Sequence, residues 1–172
     1  FLHRVHPEYI AVVSNESLTT SFRNDIYPAY KANREPAPPE LKRQFGMCRR
    51  LVEALGLAAY SSDRYEADDL IGTLAGCLRP AGFSIEIRSA DKDLAQLVGD
   101  SDVLWDYARN RRHASDDIPQ LLGVHPAQVA DWLALTGDAV DNIPGVPGIG
   151  AKTAAALLGT FGSLDGLYAD LD

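Results

Sequence analysis

Seven carboxylates stand in three short groups where turns or element ends would present them: Glu66, Asp68 and Asp69; Asp91 and Asp93; Asp138 and Asp141. Glu66 and Asp69 lie one turn apart at the start of a helical pattern, on one face. Asp91 and Asp93 follow an alternating run over 83–87, at the carboxyl end of a strand, where open α/β sheets place ligands. Asp138 and Asp141 are three apart in a Gly-Asp-Ala-Val-Asp-Asn turn. Acids near helix starts also serve as caps and dipole partners, worth about 0.3–1 kcal/mol each, so one such residue alone needs no further role. Jointly they ask for more, because convergence would raise their pKa values by like-charge repulsion unless a cation sat among them. Oxygen donors without His or Cys point to Mg2+ or Mn2+ rather than Zn2+. Seven carboxylates are too many for one Mg2+, so two ions are expected, as in two-metal phosphoryl hydrolysis.

The elements that must position these acids are legible in outline. Residues 10–13 read as a short buried strand after a turn at Pro7, and 57–61 as another. Between them, 23–39 is polar and proline-punctuated, too long for a simple connector and therefore functional or mobile. Pro38-Pro39 opens a helix over 40–55, ended by Gly56. A helix follows Glu66-Ala67-Asp68-Asp69, with Leu70, Ile71, Leu74, Cys77 and Leu78 at helical spacing. Alternation predicts a strand over 83–87, then a helix over 91–98 and a strand over 103–105. Strand and helix alternate, so the first two-thirds reads as α/β with a largely parallel sheet. From about Asp116 the pattern becomes short helices, over 117–122, 126–135, 150–158 and 163–168, joined by Gly/Pro turns.

A net charge of −8 first argues against a nucleic-acid partner, but the charges are segregated. Arg23, Lys31, Arg34, Lys42, Arg43, Arg49 and Arg50 face only Asp25, Glu35 and Glu40 between 23 and 50, and a second basic knot follows at Arg109, Arg111, Arg112 and His113. No apolar run is long enough to span a bilayer, and the first residues lack the apolar core of a signal peptide. The chain begins without Met, which suggests a processed or truncated start. Cys48 and Cys77 have no C-x-x-C spacing and are expected to be buried, reduced thiols of a cytoplasmic protein.

The run Asp141-Asn142-Ile143-Pro144-Gly145-Val146-Pro147-Gly148-Ile149-Gly150-Ala151-Lys152-Thr153 nearly matches a phosphate-binding P-loop, but its lysine stands one position late and no strong strand precedes it. A helix–hairpin–helix fits better. Gly145, Gly148 and Gly150 allow a tight turn whose backbone N–H groups, with a helix dipole behind them, accept phosphate without reading bases. Lys152 would add a point charge and Thr153 a hydroxyl; a merely structural turn between helices is the alternative.

With these segments in place the chain resembles the 5′-nuclease domain of bacterial DNA polymerase I and the related flap endonucleases. The resemblance is carried, in order, by Ser21-Phe22-Arg23, Tyr27-Pro28-Ala29-Tyr30-Lys31-Ala32-Asn33-Arg34, Glu66-Ala67-Asp68-Asp69, Ala90-Asp91-Lys92-Asp93-Leu94, Leu135-Thr136-Gly137-Asp138 and 141–150. It implies a PIN-like α/β nuclease core over 1–115, with a basic arch or gateway around 22–50, followed by a helix–three-turn–helix DNA-binding region over 116–172. Glu66, Asp68 and Asp69 would serve a first metal site, and Asp91, Asp93, Asp138 and Asp141 a second. Lys31 and Arg34 would grip the scissile phosphate and stabilise its developing charge. Arg23, Tyr30, Gly145, Gly148, Gly150, Lys152 and Thr153 would contact DNA, with a monovalent cation such as K+ on the carbonyls of the glycine hairpin. The implied activity is metal-dependent 5′–3′ exonuclease and 5′-flap endonuclease action in replication and repair. The protein would be monomeric, off the membrane, and fused to or working beside a DNA polymerase.

Two departures from the family pattern stand out. The family begins with a strand carrying an Asp, upstream of anything in this sequence. The strand at 11–13 is normally followed within two residues by a metal-binding Asp; here Ser14-Asn15 stand there. Glu16 could replace it only if the strand slipped, since its side chain should point to the opposite face. A DNA-structure-binding module that cuts weakly is therefore the rival expectation.

Overall fold

In the computed structural model, residues 5–16 and 20–171 are described. The chain divides into two compact units, Phe1–Ile71 and Gly72–Asp172.

In the first unit, strands β1 (Ala11–Asn15) and β2 (Ala58–Ser62) pair in parallel, Ala11 opposite Ala58 and Asn15 opposite Ser62. The connection between them holds two helices, α1 (Phe22–Ile26) and α2 (Pro39–Ala54). The expected unstructured stretch over 23–39 is thus corrected at its start. Ser21 nucleates α1 by accepting from the Arg23 N–H, and Asn24 N bonds back to Ser21 O. Pro39 opens α2 with its φ pre-set and no N–H to lose. Residues 40–51 of α2 are all exposed, and the helix buries no residue. Cys48 lies on it, and Cys77 lies on the side of helix α3 (Ala67–Leu78) opposite buried Ala75; both thiols are exposed and free, not buried as expected. The division between the units falls within α3.

In the second unit, β3 (Glu86–Arg88) pairs in parallel with β4 (Val103–Asp106), which pairs antiparallel with β5 (Arg111–Ala114). β3 is shorter than the alternation over 83–87 suggests. Ahead of it, Ile85 N donates to the Asp102 carboxylate, a side-chain partner in place of a ladder one. β5 was not foreseen: Arg111-Arg112-His113-Ala114 has no apolar alternation, and pairing with β4 makes it a strand. Two of the three strand pairings are parallel. The segment expected as a helix over 91–98 is a 3-10 helix, Asp93–Leu97, that buries Leu94 and Ala95. The helical remainder comprises α4 (Ile118–Leu122), α5 (Val129–Thr136), α6 (Ala151–Phe161) and α7 (Leu164–Ala169). The helix expected over 126–135 is split, a 3-10 turn Pro126–Gln128 preceding α5.

This unit's core is Ile87, Leu94, Val98, Leu104, Ile118, Val124, Val129, Leu135 and Leu158. Each fully buried aliphatic here contributes about 1.5–3 kcal/mol. One buried charge is structural: Asp102, 2% exposed, accepts from Arg79, Ile85 N and Gly99 N, so none of its burial is uncompensated. Arg88, Trp105 and Arg112 are opposite one another across β3, β4 and β5, and their guanidinium carbons lie 4.0 and 4.4 Å from the Trp105 ring centre. Glu86 pairs with both arginines, and Asp106 pairs with Arg109. Two members of the second basic knot, Arg109 and Arg112, are therefore paired with acids of this sheet. No helix among the described residues is long and apolar enough to cross a membrane.

Candidate functional site

In the first unit the residues around Ser21 are laid along the entrance to α3. Phe22 N donates to Arg64 O at 3.0 Å, the Phe22 and Tyr65 rings lie 5.6 Å apart, and Thr20 Oγ1 donates to Asp63 O. This fixed strap delivers two cations to two of the predicted carboxylates. Arg23 donates through both terminal nitrogens to Asp69, at 2.7 and 2.8 Å, a planar two-point match. Lys31 Nζ lies 2.5 Å from Glu66 Oε2, to which the Tyr30 hydroxyl also donates at 3.2 Å. Tyr30, Lys31 and Glu66 are each no more than 8% exposed, so this pair is held almost out of water.

Arg23 holds the Asp69 carboxyl below the usual carboxylate range and is itself pushed up, each through their shared hydrogen bonds. Asp69 Oδ2 also accepts from Glu66 N at 2.9 Å, so it caps α3 as well as binding Arg23. Asp68 sits beside it in the first turn. Arg34 is exposed, its N–H bonded to Lys31 O.

Asn15, where a family carboxylate was expected, gives its amide oxygen to Ala67 N at 2.6 Å and so caps α3 from a neighbouring strand. Glu16 turns the other way and pairs with Arg49 of α2 at 2.7 Å; it does not replace Asn15. That outcome follows from the alternation of side chains along β1.

Of the remaining four acids, all in the second unit, Asp91 and Asp138 accept from nearby backbone. Asp91 is exposed, and its Oδ1 accepts from Asp93 N at 3.0 Å. Asp138 Oδ1 accepts from Val140 N at 2.7 Å, while Asp138 and Ile143 exchange both backbone hydrogen bonds and close the loop that holds Asp141. Asn142 adopts φ +61° to complete that loop.

The three hairpin glycines divide into two kinds. Gly145 (φ +64°) packs on Gly137 backbone to backbone, and a methyl there would come within 2.5 Å of the Thr136 carbonyl carbon. Gly148 (φ +82°) and Gly150 have no atom within 4 Å of where a side chain would begin. That open space and the exposed Lys152 and Thr153 lie together at the first turn of α6. Two side chains not singled out from the sequence hold that helix: Trp132 Nε1 donates to Ala151 O, and Gln128 Nε2 donates to Leu158 O and Gly162 O. Gln128 had one faint signal, a polar residue inside an otherwise apolar pattern; Trp132 had none.

Among the described residues, no three His, Cys, Asp or Glu side chains are already grouped as a metal cage. The donors nevertheless fit a divalent hard cation in kind, being all carboxylate. At Glu66 and Asp69 an ammonium and a guanidinium stand as counter-cations, direct evidence that these oxygens attract positive charge.

A family model described as the 5′-3′ exonuclease N-terminal resolvase-like domain matches residues 1–123, and one described as the 5′-3′ exonuclease C-terminal SAM fold matches 124–172. DNA polymerase I of Rhizobium leguminosarum is 44% identical over 163 residues, covering 95% of this chain and 16% of that protein. Flap endonuclease Xni of Serratia proteamaculans is 40% identical over 163 residues, covering 95% of this chain and 65% of that protein. The chain thus spans less than two thirds of the length of either relative. The solved structure of a T5 5′-exonuclease with divalent metal ions (zinc) bound superposes with a TM-score of 0.83 at 23% identity, covering 99% of this chain and 66% of that one, and so shares its fold. By both halves of its sequence, the chain belongs to the 5′-3′ exonuclease family.

Proposed function

We propose that the protein is a divalent-metal-dependent 5′–3′ exonuclease and 5′-flap endonuclease acting on DNA phosphodiesters. The observation that carries this reading is the strap 20–34, which brings Arg23 and Lys31 onto Asp69 and Glu66. A cation aimed at a carboxylate site is what a phosphate approaching bound metal would need. Lys31 and Arg34 grip the phosphate and stabilise its charge as the bond breaks. Arg23 and Tyr30 guide the 5′ strand past them.

Glu66, Asp68 and Asp69, and Asp91, Asp93, Asp138 and Asp141, would hold two Mg2+ or Mn2+ ions, which would supply a polarised water and positive charge for the leaving oxygen. Duplex backbone is held at Gly145, Gly148, Gly150, Lys152 and Thr153, with K+ on hairpin carbonyls. In this reading 1–115 is the nuclease core, with an arch at 22–50, and 116–172 is the DNA-binding region. The protein acts as a monomer in the cytoplasm, in replication and repair, beside or joined to a DNA polymerase.

The test is a labelled 5′-flap duplex incubated with protein and Mg2+ or Mn2+. Cleavage near the flap junction, abolished by EDTA, is expected. Intact flap together with a persistent gel shift would replace the enzyme with a DNA-binding module. One observation favours that second reading: the Asn15 oxygen is already committed to the Ala67 N–H and brings no charge. Asn15→Asp distinguishes them. A sharp rise in cleavage means the native site is one charge short, and an unchanged rate removes Asn15 as the cause of any weakness.

A further inference from the structure

Lys31 has an unusual backbone: its φ is +56°, in the left-handed region that side chains other than Asn, Asp and Gly seldom enter. Something must hold that conformation, and the residue placed to do so is Asn24. Its Nδ2 donates at 3.0 Å to Tyr30 O, the carbonyl of the peptide that links Tyr30 to Lys31. Asn24 is itself anchored on α1, where its N–H bonds to Ser21 O. The amide orientation is fixed, because a carbonyl can only accept. Asn24 Oδ1 is then left buried with no hydrogen-bond partner among the described residues. A buried unpaired acceptor is costly; an apolar residue would avoid it. The donor is therefore what this position requires.

We infer that Asn24 is a positioning residue for Lys31: it fixes the Tyr30–Lys31 peptide so that the lysine is delivered, buried, to the phosphate-binding site. This rests on the reading of Lys31 as the group that grips the scissile phosphate. Beyond Asn24, the bonds from Tyr30 N to Tyr27 O and from Arg34 N to Lys31 O complete the turn around the lysine.

The experiment is single-turnover cleavage of a 5′-flap duplex at saturating Mg2+, with flap affinity measured separately in Ca2+. Asn24→Ala removes the amide; Asn24→Asp keeps its shape and sets an acceptor against the carbonyl, which covers the case in which the alanine variant fails to fold. Each is made alone and together with Lys31→Ala. The expected result is about tenfold slower cleavage for either Asn24 variant, with affinity within about twofold, and no further loss when Lys31 is already Ala. Full-rate Asn24 variants beside a slowed Lys31→Ala would overturn the inference, as would losses that multiply in the double variants. A Lys31→Ala protein that cuts at full rate would overturn the underlying reading of Lys31 instead.

Discussion

The carboxylates at the start of α3 and those of the second unit carry the same charge but are held differently. Glu66 and Asp69 are part-buried or buried and paired with cations more than thirty residues away in sequence, Lys31 and Arg23. Asp91 and Asp138 instead accept from N–H groups two residues on, within their own turns. The first group depends on tertiary structure and would fail with it; the second is shaped by local chain geometry and keeps its form at little cost.

The largest difference should appear in stability. Glu66→Ala leaves the Lys31 ammonium, with a side chain 6% exposed, buried without its carboxylate. Urea unfolding should show a loss of about 3–5 kcal/mol. Asp91→Ala should cost about 1 kcal/mol or less. Equal losses would erase the distinction between the two groups.

The hairpin glycines sharpen the same contrast between packed and open positions. Gly145→Ala drives a methyl into the Thr136–Gly137 backbone and should cost about 2–3 kcal/mol in thermal unfolding. Gly148→Ala meets open space and pays only for its left-handed backbone, about 1 kcal/mol. Gly148→Val should then weaken duplex binding about tenfold by standing between backbone and phosphate. Gel shifts that keep wild-type affinity across a salt series would remove Gly148 from the phosphate contact.

The smallest effect concerns pH. Because Arg23 depresses the Asp69 pKa in the folded state, their pairing stabilises the fold above the unfolded carboxylate value of about 4 and is lost as pH falls through the lower folded value. In metal-free buffer the stability gap between wild type and Arg23→Gln is therefore full near neutrality. It should close below about pH 4; a gap that stays constant through that range would mean Asp69 is not the partner that matters.

How much of this could be read beforehand followed from the range of the signal. Strands β1, β2 and β4 and helix α2 were visible because apolar runs, prolines and glycines act over a few residues. Five-residue α1 was too short for any periodicity, and its stability comes from the Ser21 cap and the Arg23–Asp69 pair. β5 has a basic sequence and becomes a strand only by pairing with β4. The acids of the candidate site were legible as a dense set. Their partners were not, because nothing local in Arg23 or Lys31 marks which distant carboxylate each will meet. The role of Asn24 depends on one hydrogen bond to a carbonyl six residues away, and leaves no mark in the sequence.

Helix α2 adds a consequence of its own. Sixteen residues long, with no buried side chain and Gly46 near its middle, it gains little by burial, and its Arg49–Glu16 pair is a surface tie worth about 1 kcal/mol or less. An isolated helix of about that length is marginal in water. Its hydrogen bonds can therefore open and reclose while the sheet and core stay intact, and its amides should exchange with deuterium well before those of α6. This segment can change shape at small energetic cost, without first unfolding anything else.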